Sequence, residues 1–292
     1  MSFLSYFVTG ISLGSIYALI ALGYTMVYGI AKMLNFAHGD VIMIGGYVAY
    51  TAMSTLHFPV WISVCISIIS CIILGVLIEK IAYKPLRNAS PLAILITAIG
   101  VSYLLQNVAL LIFGSAAKSF TSVVPRFSVG KSINLNISGE TIVTIAVTVL
   151  IVIALSLFIS KTRSGRAMLA VSEDKGAAQL MGINVNTTIS LTFAIGSGLA
   201  AVASVLLCST YPQISPYTGA MPGIKAFTAA VFGGIGSIPG AMIGGVVLGI
   251  IESLSKAYIS SQLSDAIVFG VLIVVLLVKP TGLFGKKFNE KV

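Results

Sequence analysis

Charged side chains are scarce in this sequence. Its 292 residues include 17 Lys and Arg and 8 Asp and Glu, together 9% of the chain. A soluble domain carries charge on about a quarter of its residues. Here 57% of the residues are hydrophobic, and they come in runs of about 20, the length of helix that crosses the hydrocarbon core of a membrane. The shortage of charge therefore excludes an ordinary soluble domain and predicts an all-α polytopic integral membrane protein.

Three further observations narrow this class. Apolar and polar residues do not alternate in segments of about ten, as the strands of a transmembrane barrel require. No Lys or Arg precedes Lys32, so the first apolar run lacks the basic region of a cleaved signal peptide and is expected to be a membrane segment. The three cysteines lie inside apolar runs and are interpreted as small hydrophobes. The net charge of +9 is attributed to cytoplasmic loops rather than to nucleic-acid binding.

The sequence also lacks a nucleotide site and a metal site. Gly130–Ser132 resembles the end of a phosphate-binding loop, but that motif needs a glycine where Pro125 stands. The two histidines, His38 and His57, lie in different breaks on opposite predicted sides, so they are not expected to share a metal. No Ser, His and Asp set is recognised. We therefore expect a protein that is not an enzyme and has no cofactor of its own.

The distribution of Lys and Arg predicts the orientation of the loops, because cytoplasmic loops are enriched in both residues. It places residues 79–91, residues 161–188 and the tail after Lys279 in the cytoplasm. It places residues 114–140 and 209–223 outside. With the N-terminus outside, the alternation of sides predicts eight to ten membrane segments in a single transmembrane domain that spans the whole chain.

One of these segments is predicted to be irregular. The alternation of sides requires residues 224–254 to cross twice, or to enter and return, and the chain would turn at the glycine-rich break Gly233–Ala241. Non-helical backbone at membrane depth must be covered by protein or line a wet cavity, so we expect the break to be packed inside. Gly236, Gly240 and Gly244 recur every four residues and are assigned to close helix packing, with contact to a ligand as the alternative.

A short polar segment, SEDKGAAQLMG at residues 172–182, lies between two long apolar runs. Its first residue suits an N-cap, the two acidic residues that follow suit the positive end of a helix dipole, and Gly182 suits a left-handed stop. This pattern predicts a helix of about nine residues with one apolar face. The residues of its cap, first turn and apolar face are Ser172, Glu173, Asp174, Ala177, Leu180 and Met181.

The same segment is too polar to enter the bilayer. Five charged residues in or near it would each cost about 3 kcal/mol at the membrane centre, and a sum of about 15 kcal/mol excludes that position. They are Arg163, Arg166, Glu173, Asp174 and Lys175. A helix this short is marginal alone in water, so something must hold its face. Two interpretations remain, an interfacial helix on lipid headgroups and a docking helix for a cytoplasmic partner.

Residues 176–182, GAAQLMG, resemble the cytoplasmic-loop motif of ATP-binding cassette (ABC) importer permeases, although Gly176 stands where that motif usually has Glu. Three longer stretches occur in the same order as in the branched-chain amino acid permeases of the LivH type. They are YALIALGYTMVYGIAKMLNFAHGD at Tyr17–Asp40, GRAMLAVSEDKGAAQLMGIN at Gly165–Asn184 and GGIGSIPGAMIGG at Gly233–Gly245. The stretch Asn35–Gly39 is particularly characteristic. The resemblance covers nearly the whole chain, from about Gly10 to Phe284.

This resemblance implies the permease subunit of an ATP-driven importer in the inner membrane of a bacterium or archaeon. It implies a second homologous permease chain, two cytoplasmic ABC ATPases that bind ATP and Mg²⁺, and an external solute-binding protein. It also implies that the polar segment is a coupling helix that fits a cleft of the ATPase. The coupling residues are then Glu173, Asp174, Ala177, Ala178 and Gly182.

Other functions stay open at this point. Permeases for urea or short-chain amides belong to the same family. A stand-alone channel or ion-coupled carrier would be expected to have ionisable residues near the middle of the membrane, but none of Lys225, Glu252 and Asp265 falls in the middle of a predicted segment. A membrane scaffold without a transport role would not need the polar helix.

Candidate residues for the solute path are polar groups in or between apolar runs. Ionisable groups buried in a membrane are functional candidates by default. Asn35, His38 and Asp40 lie at a break between two runs and are assigned either to the path or to fixing a loop at the interface. Gln106 and Asn107 lie within the fourth run, where they would line the path or bond between helices. The sequence does not name the solute.

Overall fold

The computed structural model describes residues 3–87, 89–124, 128–129 and 137–285. Helices dominate these ranges. They are α1 (Phe3–Ala31), α2 (His38–Tyr50), α3 (Val60–Ile78), α4 (Pro91–Phe113), α5 (Gly139–Lys161), α6 (Arg163–Glu173), α7 (Lys175–Leu180), α8 (Val185–Thr210), α9 (Ala220–Gly233), α10 (Ile238–Tyr258) and α11 (Ser264–Val278).

Short irregular elements join these helices. Two π-helical turns, Thr51–Thr55 and Glu79–Tyr83, continue α2 and α3, and a 3-10 turn follows at Lys84–Leu86. Two small antiparallel pairs of strands join β1 to β4 and β2 to β3. The strands are β1 (Lys118–Ser119), β2 (Ser128–Val129), β3 (Ile137–Ser138) and β4 (Gln213–Ile214).

Six helices of the described ranges are long and apolar enough to cross a membrane. Five are α1, α4, α5, α8 and α10, and the sixth, Val60–Leu86, combines α3 with the turns that follow it; α11 is apolar but shorter. Large apolar side chains on α3, α4 and α5 are exposed, among them Trp61, Leu111 and Leu150, which suits contact with lipid. The prediction of an all-α polytopic membrane protein is confirmed.

The centre of the fold is the close approach of α1 to α10. A Cβ added to Gly249 would lie 2.2 Å from the backbone of Gly14, and one added to Gly245 would lie 2.5 Å from the backbone nitrogen of Ala18. Small residues allow two helix backbones to meet in this way. Helices α8 and α9 also pack on α1, so the first helix of the chain is enclosed by helices that follow much later in the sequence.

The described contacts define two ends of this helical body. One end, named the basic end, contains α6, α7 and the C-terminus of α1. Here the Lys175 ammonium at the start of α7 donates to the carbonyl of Ala31, the last residue of α1, over 2.9 Å. The opposite end carries the start of α1 and the end of α10, where the Ser253 hydroxyl donates to the Tyr6 carbonyl over 2.8 Å. The β1–β4 pair lies at this opposite end, where β4 forms part of the segment that leads from α8 to α9.

The glycine-rich break is a turn at residues 234–237 between α9 and α10. It lies at the basic end, where the Leu283 amide donates to the Phe232 carbonyl over 2.9 Å. Gly236 and Pro239 are exposed. The chain thus reverses direction at the break. Gly233, Gly234, Gly240 and Ala241 are buried, so the break packs against the rest of the chain at both its ends and is exposed only at its tip.

The three glycines assigned to close packing meet different demands. A Cβ on Gly240 would lie 2.4 Å from the Gly233 carbonyl oxygen, and one on Gly244 would lie 2.3 Å from that of Ala229. Gly236 instead has a φ of +95° and no described atom closer than 3.9 Å to its Cβ position. Close packing therefore describes Gly240 and Gly244. At Gly236 the left-handed backbone requires glycine, and a Cβ added to Gly29 near the end of α1 would lie 3.3 Å from the Gly236 Cα.

Candidate functional site

The polar segment forms two helices rather than the single predicted one. Glu173 is the last residue of α6, and Asp174 caps the start of α7 by accepting from the amides of Gly176 over 2.7 Å and Ala177 over 3.0 Å. Ser172 lies within α6, and its hydroxyl bonds back to that helix. The prediction that Ser172 is the cap is therefore wrong, because the extended backbone of Asp174 ends α6 and begins α7 at one residue.

Helix α7 presents an apolar surface to its surroundings. Leu180 is 91% exposed and Met181 is 82% exposed, beside the exposed Ala177. Gly182 ends the helix with a φ of +81°, as its sequence position predicts. Ala178, in contrast, is only 4% exposed; it seats α7 on its own chain and cannot offer its side chain to a partner, as the coupling assignment would require.

Lys175 anchors this helix to the membrane-spanning body. Its ammonium donates to the carbonyl of Ala31, the last residue of α1. Burial, and then the positive charges of Arg87 and Lys32, lower the pKa of Lys175 below its ordinary value. Helix α7 is therefore in direct contact with α1, and the sequence carried no signal for this contact beyond a basic residue in the segment.

A buried carboxylate that the sequence analysis missed joins the segment after α3 to α8. Glu79, fully buried at the end of α3, accepts from the Ser190 hydroxyl over 2.6 Å and pairs with Arg87. Arg87 also donates to Asn186, in the first turn of α8. These bonds fasten the segment after α3 to α8. The available signal was that Glu79 is the sole acidic residue of a basic loop.

The predicted path residues fall into separate groups. The Gln106 amide donates to the Asp40 carboxylate over 2.8 Å, which joins α4 to α2. The buried Asn35 accepts from the Tyr83 hydroxyl over 3.0 Å. Asn107 is exposed and donates to the carbonyl one helical turn before it. The structure thus brings Asp40 and Gln106 together and turns Asn107 away from the interior.

The N-termini of α2 and α9 meet inside the helical body. A Cβ on Gly219 would lie 1.8 Å from the Gly39 carbonyl oxygen, so the two chains touch at their backbones. His38 packs its ring against Tyr24, with ring centroids 4.7 Å apart, and Phe227 lies 5.7 Å from the same tyrosine. The space beside Tyr24 and Phe227 has no room for a water molecule. Aromatic side chains therefore close the body towards the basic end.

A cavity of about 230 Å³ lies on the other side of this closure, towards the opposite end. It is bounded by α1, α9, α10 and the segment between α8 and α9. Its polar lining includes Tyr17, Tyr211, Gln213, Thr218, Lys225, Glu252 and Lys256. Because Tyr211 and Met221 on its rim are exposed, the cavity is accessible from the opposite end.

A charged cluster lies in this cavity. One oxygen of the Glu252 carboxylate accepts from Lys225 over 2.8 Å and from Lys256 over 2.6 Å, and the other accepts from the Tyr17 hydroxyl over 2.8 Å. Lys225 also pairs with Asp265 over 2.6 Å. The sequence analysis set Lys225, Glu252 and Asp265 aside because none of them falls in the middle of a predicted segment. The fold brings them together, and the four-residue spacing of Glu252 and Lys256 was the overlooked signal.

The described residues contain no group of three or more His, Cys, Asp or Glu side chains that could hold a metal ion. The resemblance of Gly130–Ser132 to a phosphate-binding loop, and the Pro125 that argues against it, lie outside the described residues.

Comparisons with known proteins identify relatives over the whole length of the chain. The family model described as branched-chain amino acid transport system / permease component matches residues 6–276. The high-affinity branched-chain amino acid transport system permease protein LivH of Salmonella typhimurium is 49% identical, over 99% of this chain and 98% of its own. The corresponding protein BraD of Pseudomonas aeruginosa is 48% identical over the same shares.

A solved structure shares the fold. PsaBC from Streptococcus pneumoniae, determined in complex with Fab, aligns with a TM-score of 0.50 over 97% of this chain and 94% of that chain. The two are 15% identical in sequence, so the likeness concerns the arrangement of helices alone.

Proposed function

Because the chain belongs to the family of branched-chain amino acid transport system permease components, we propose that it is the membrane-spanning subunit of an ATP-driven importer of these amino acids. The observation that carries the proposal is α7, a short helix with an exposed apolar face that is fastened to α1. A permease driven by a separate ATPase requires such a surface.

The proposed topology has nine crossings, made by α1 to α5 and by α8 to α11, with the N-terminus outside. The basic end then faces the cytoplasm and the cavity opens to the outside. The support is the concentration of Lys and Arg in residues 79–91 and 161–188. The helices α2, α9 and α11 are shorter than a full membrane span. In this topology each crosses beside a longer helix, which shields its ends from lipid.

The proposed complex contains a second homologous permease chain, two cytoplasmic ABC ATPases and an external solute-binding protein. The ATPases supply the nucleotide site with ATP and Mg²⁺, and this chain has no enzymatic role of its own. Helix α7 inserts the apolar face formed by Ala177, Leu180 and Met181 into a groove of the ATPase, in the manner of other amphipathic helices bound in grooves. Lys175 then passes movement of the ATPase to α1.

Reconstitution tests this function. The chain alone, in liposomes, should neither hydrolyse ATP nor take up leucine, whereas the complex with its ATPases and loaded binding protein should do both. Uptake of leucine by the chain alone would favour an ion-coupled carrier instead. A cysteine at position 175 in a cysteine-free background should react with an impermeant reagent only from the cytoplasmic side, and labelling from outside would overturn the topology.

A further inference from the structure

The charged cluster of the cavity is unusual in its combination of burial and access. The side chain of Glu252 is 1% exposed and that of Lys225 is 8% exposed, whereas the side chain of Lys256 is 40% exposed. Among the described residues, Glu252 is the one partner of the Lys256 ammonium. Of the three groups that donate to Glu252, Lys256 is therefore the one that a molecule in the cavity reaches most easily.

The positive end of a helix opens beside the same cluster. Helix α9 begins at Ala220 without a capping side chain, and its first residues, Met221 and Pro222, line the cavity. The Ala220 amide already donates to the Tyr217 carbonyl over 3.1 Å and proline has no amide hydrogen, so the helix start acts here through its dipole. An uncapped helix N-terminus favours a negative group. Lys225, one turn into the helix, lines the same wall, but its charge is paired with Glu252 and Asp265. The Lys256 ammonium and the dipole of α9 therefore suit a carboxylate, and Glu252 suits a cation.

We propose that a zwitterionic amino acid enters this cavity by inserting between Lys256 and Glu252, with its carboxylate on Lys256 and the start of α9 and its ammonium on Glu252. The solute carboxylate then takes the place of Glu252 as the partner of Lys256, and the solute ammonium takes the place of Lys256 as the partner of Glu252. No buried charge is left unpaired. The inference rests on the function proposed above and makes it more specific, because urea and short-chain amides lack both charges.

The test uses the complete complex in nanodiscs. The three native cysteines are replaced by alanine, Met221→Cys is introduced at the cavity wall, and its rate of reaction with an impermeant maleimide is measured. Leucine should slow this reaction. Leucinamide, which lacks the carboxylate, and isovaleramide, which lacks both charges, should not. The matched site is Ser115→Cys, exposed between α4 and β1 and outside the cavity lining, where leucine should have no effect.

The role of Lys256 is tested in the same background. Lys256→Met should raise the leucine concentration that gives half protection by about tenfold or more, the usual loss for a hydrogen bond to a charged group. Lys256→Arg, which keeps the charge, should restore most of the protection. Lys118→Met removes a charge at the same end of the molecule but outside the cavity lining, and it should leave protection unchanged.

The outcomes separate this inference from the function on which it rests. If the complex imports leucine but leucine does not protect position 221, or isovaleramide protects it equally, the zwitterion site is wrong and the importer stands. If the complex does not import leucine, the proposed function is wrong. If Lys256→Met fails to assemble, the comparison of leucine with leucinamide on the unsubstituted site still decides.

Discussion

The two ends of the molecule are built in opposite ways. At the basic end the Ser190 hydroxyl donates to the buried Glu79, and the space beside Tyr24 and Phe227 has no room for a water molecule. At the opposite end a cavity is held open beside a charged cluster. In the proposed orientation, the cavity opens to the outside, and the space beside Tyr24 and Phe227 on the cytoplasmic side leaves no room for water.

The largest expected effect comes from breaking the closed end. Gly240→Leu should abolish assembly, because overpacking ordinarily costs about 1–3 kcal/mol and the atoms opposite Gly240 are backbone, which cannot rotate away. Gly100→Leu is the matched control, since no atom lies within 4 Å of its Cβ position. Recovery of the assembled complex by size-exclusion chromatography measures the difference. Normal recovery with Gly240→Leu would contradict the close packing.

The second prediction removes the apolar face of α7. Leu180→Asp with Met181→Asp should lose the ATPase on copurification, because a carboxylate buried in an apolar groove without a partner is strongly unfavourable. Gln179→Asp, on an exposed polar residue of the same helix, should retain it. If the double variant copurifies and transports normally, α7 lies on lipid headgroups rather than in an ATPase groove.

The third prediction separates two neighbouring acidic residues. Asp174→Lys should lose the cap of α7, a loss of about 0.5–2 kcal/mol, and should reduce solute-stimulated ATP hydrolysis. Glu173→Lys places a positive charge at the end of α6, where the helix dipole favours it, so it should have little effect. Hydrogen exchange of the α7 amides reports the cap directly. Equal exchange in the two variants would argue against the capping role of Asp174.

The smallest expected effect concerns Lys175. Its pKa is lowered in the folded state, so the unfolded chain binds more protons between that lowered pKa and the ordinary value, and stability should rise with pH across this window. Lys175→Met should flatten that rise. Thermal unfolding of the purified complex between neutral and alkaline pH measures it. An identical pH dependence in both proteins would exclude Lys175 as the source.

The class of fold was readable from the sequence because it rests on composition. Runs such as Gly139–Lys161 have the length and polarity of a membrane span, and lipid tolerates few other solutions. The stop at Gly182 was also local, since a left-handed glycine needs no distant partner. Both predictions depended only on residues that are close together in the sequence.

The charged cluster was not readable, because its members are far apart in the chain. Tyr17 and Glu252 are 235 residues apart, and periodicity within a segment contains no information about which helices meet. The prediction of the capping residue was wrong for a different reason. Ser172 and Asp174 are both good capping residues, and which of them caps α7 depends on where α6 ends. The structure settles that point through the extended backbone of Asp174.

The enclosure of α1 has a consequence for how the protein is made. Translation delivers this helix first, yet α10, its partner along the glycine contacts, is completed more than 200 residues later. At a synthesis rate of about 5–20 residues per second, α1 waits roughly 10–40 s in the bilayer with its glycine face and the Tyr17 hydroxyl uncovered. A membrane chaperone that shields nascent segments would therefore bind this helix longest. Chains truncated before residue 238, which lack α10, should remain bound to the chaperone.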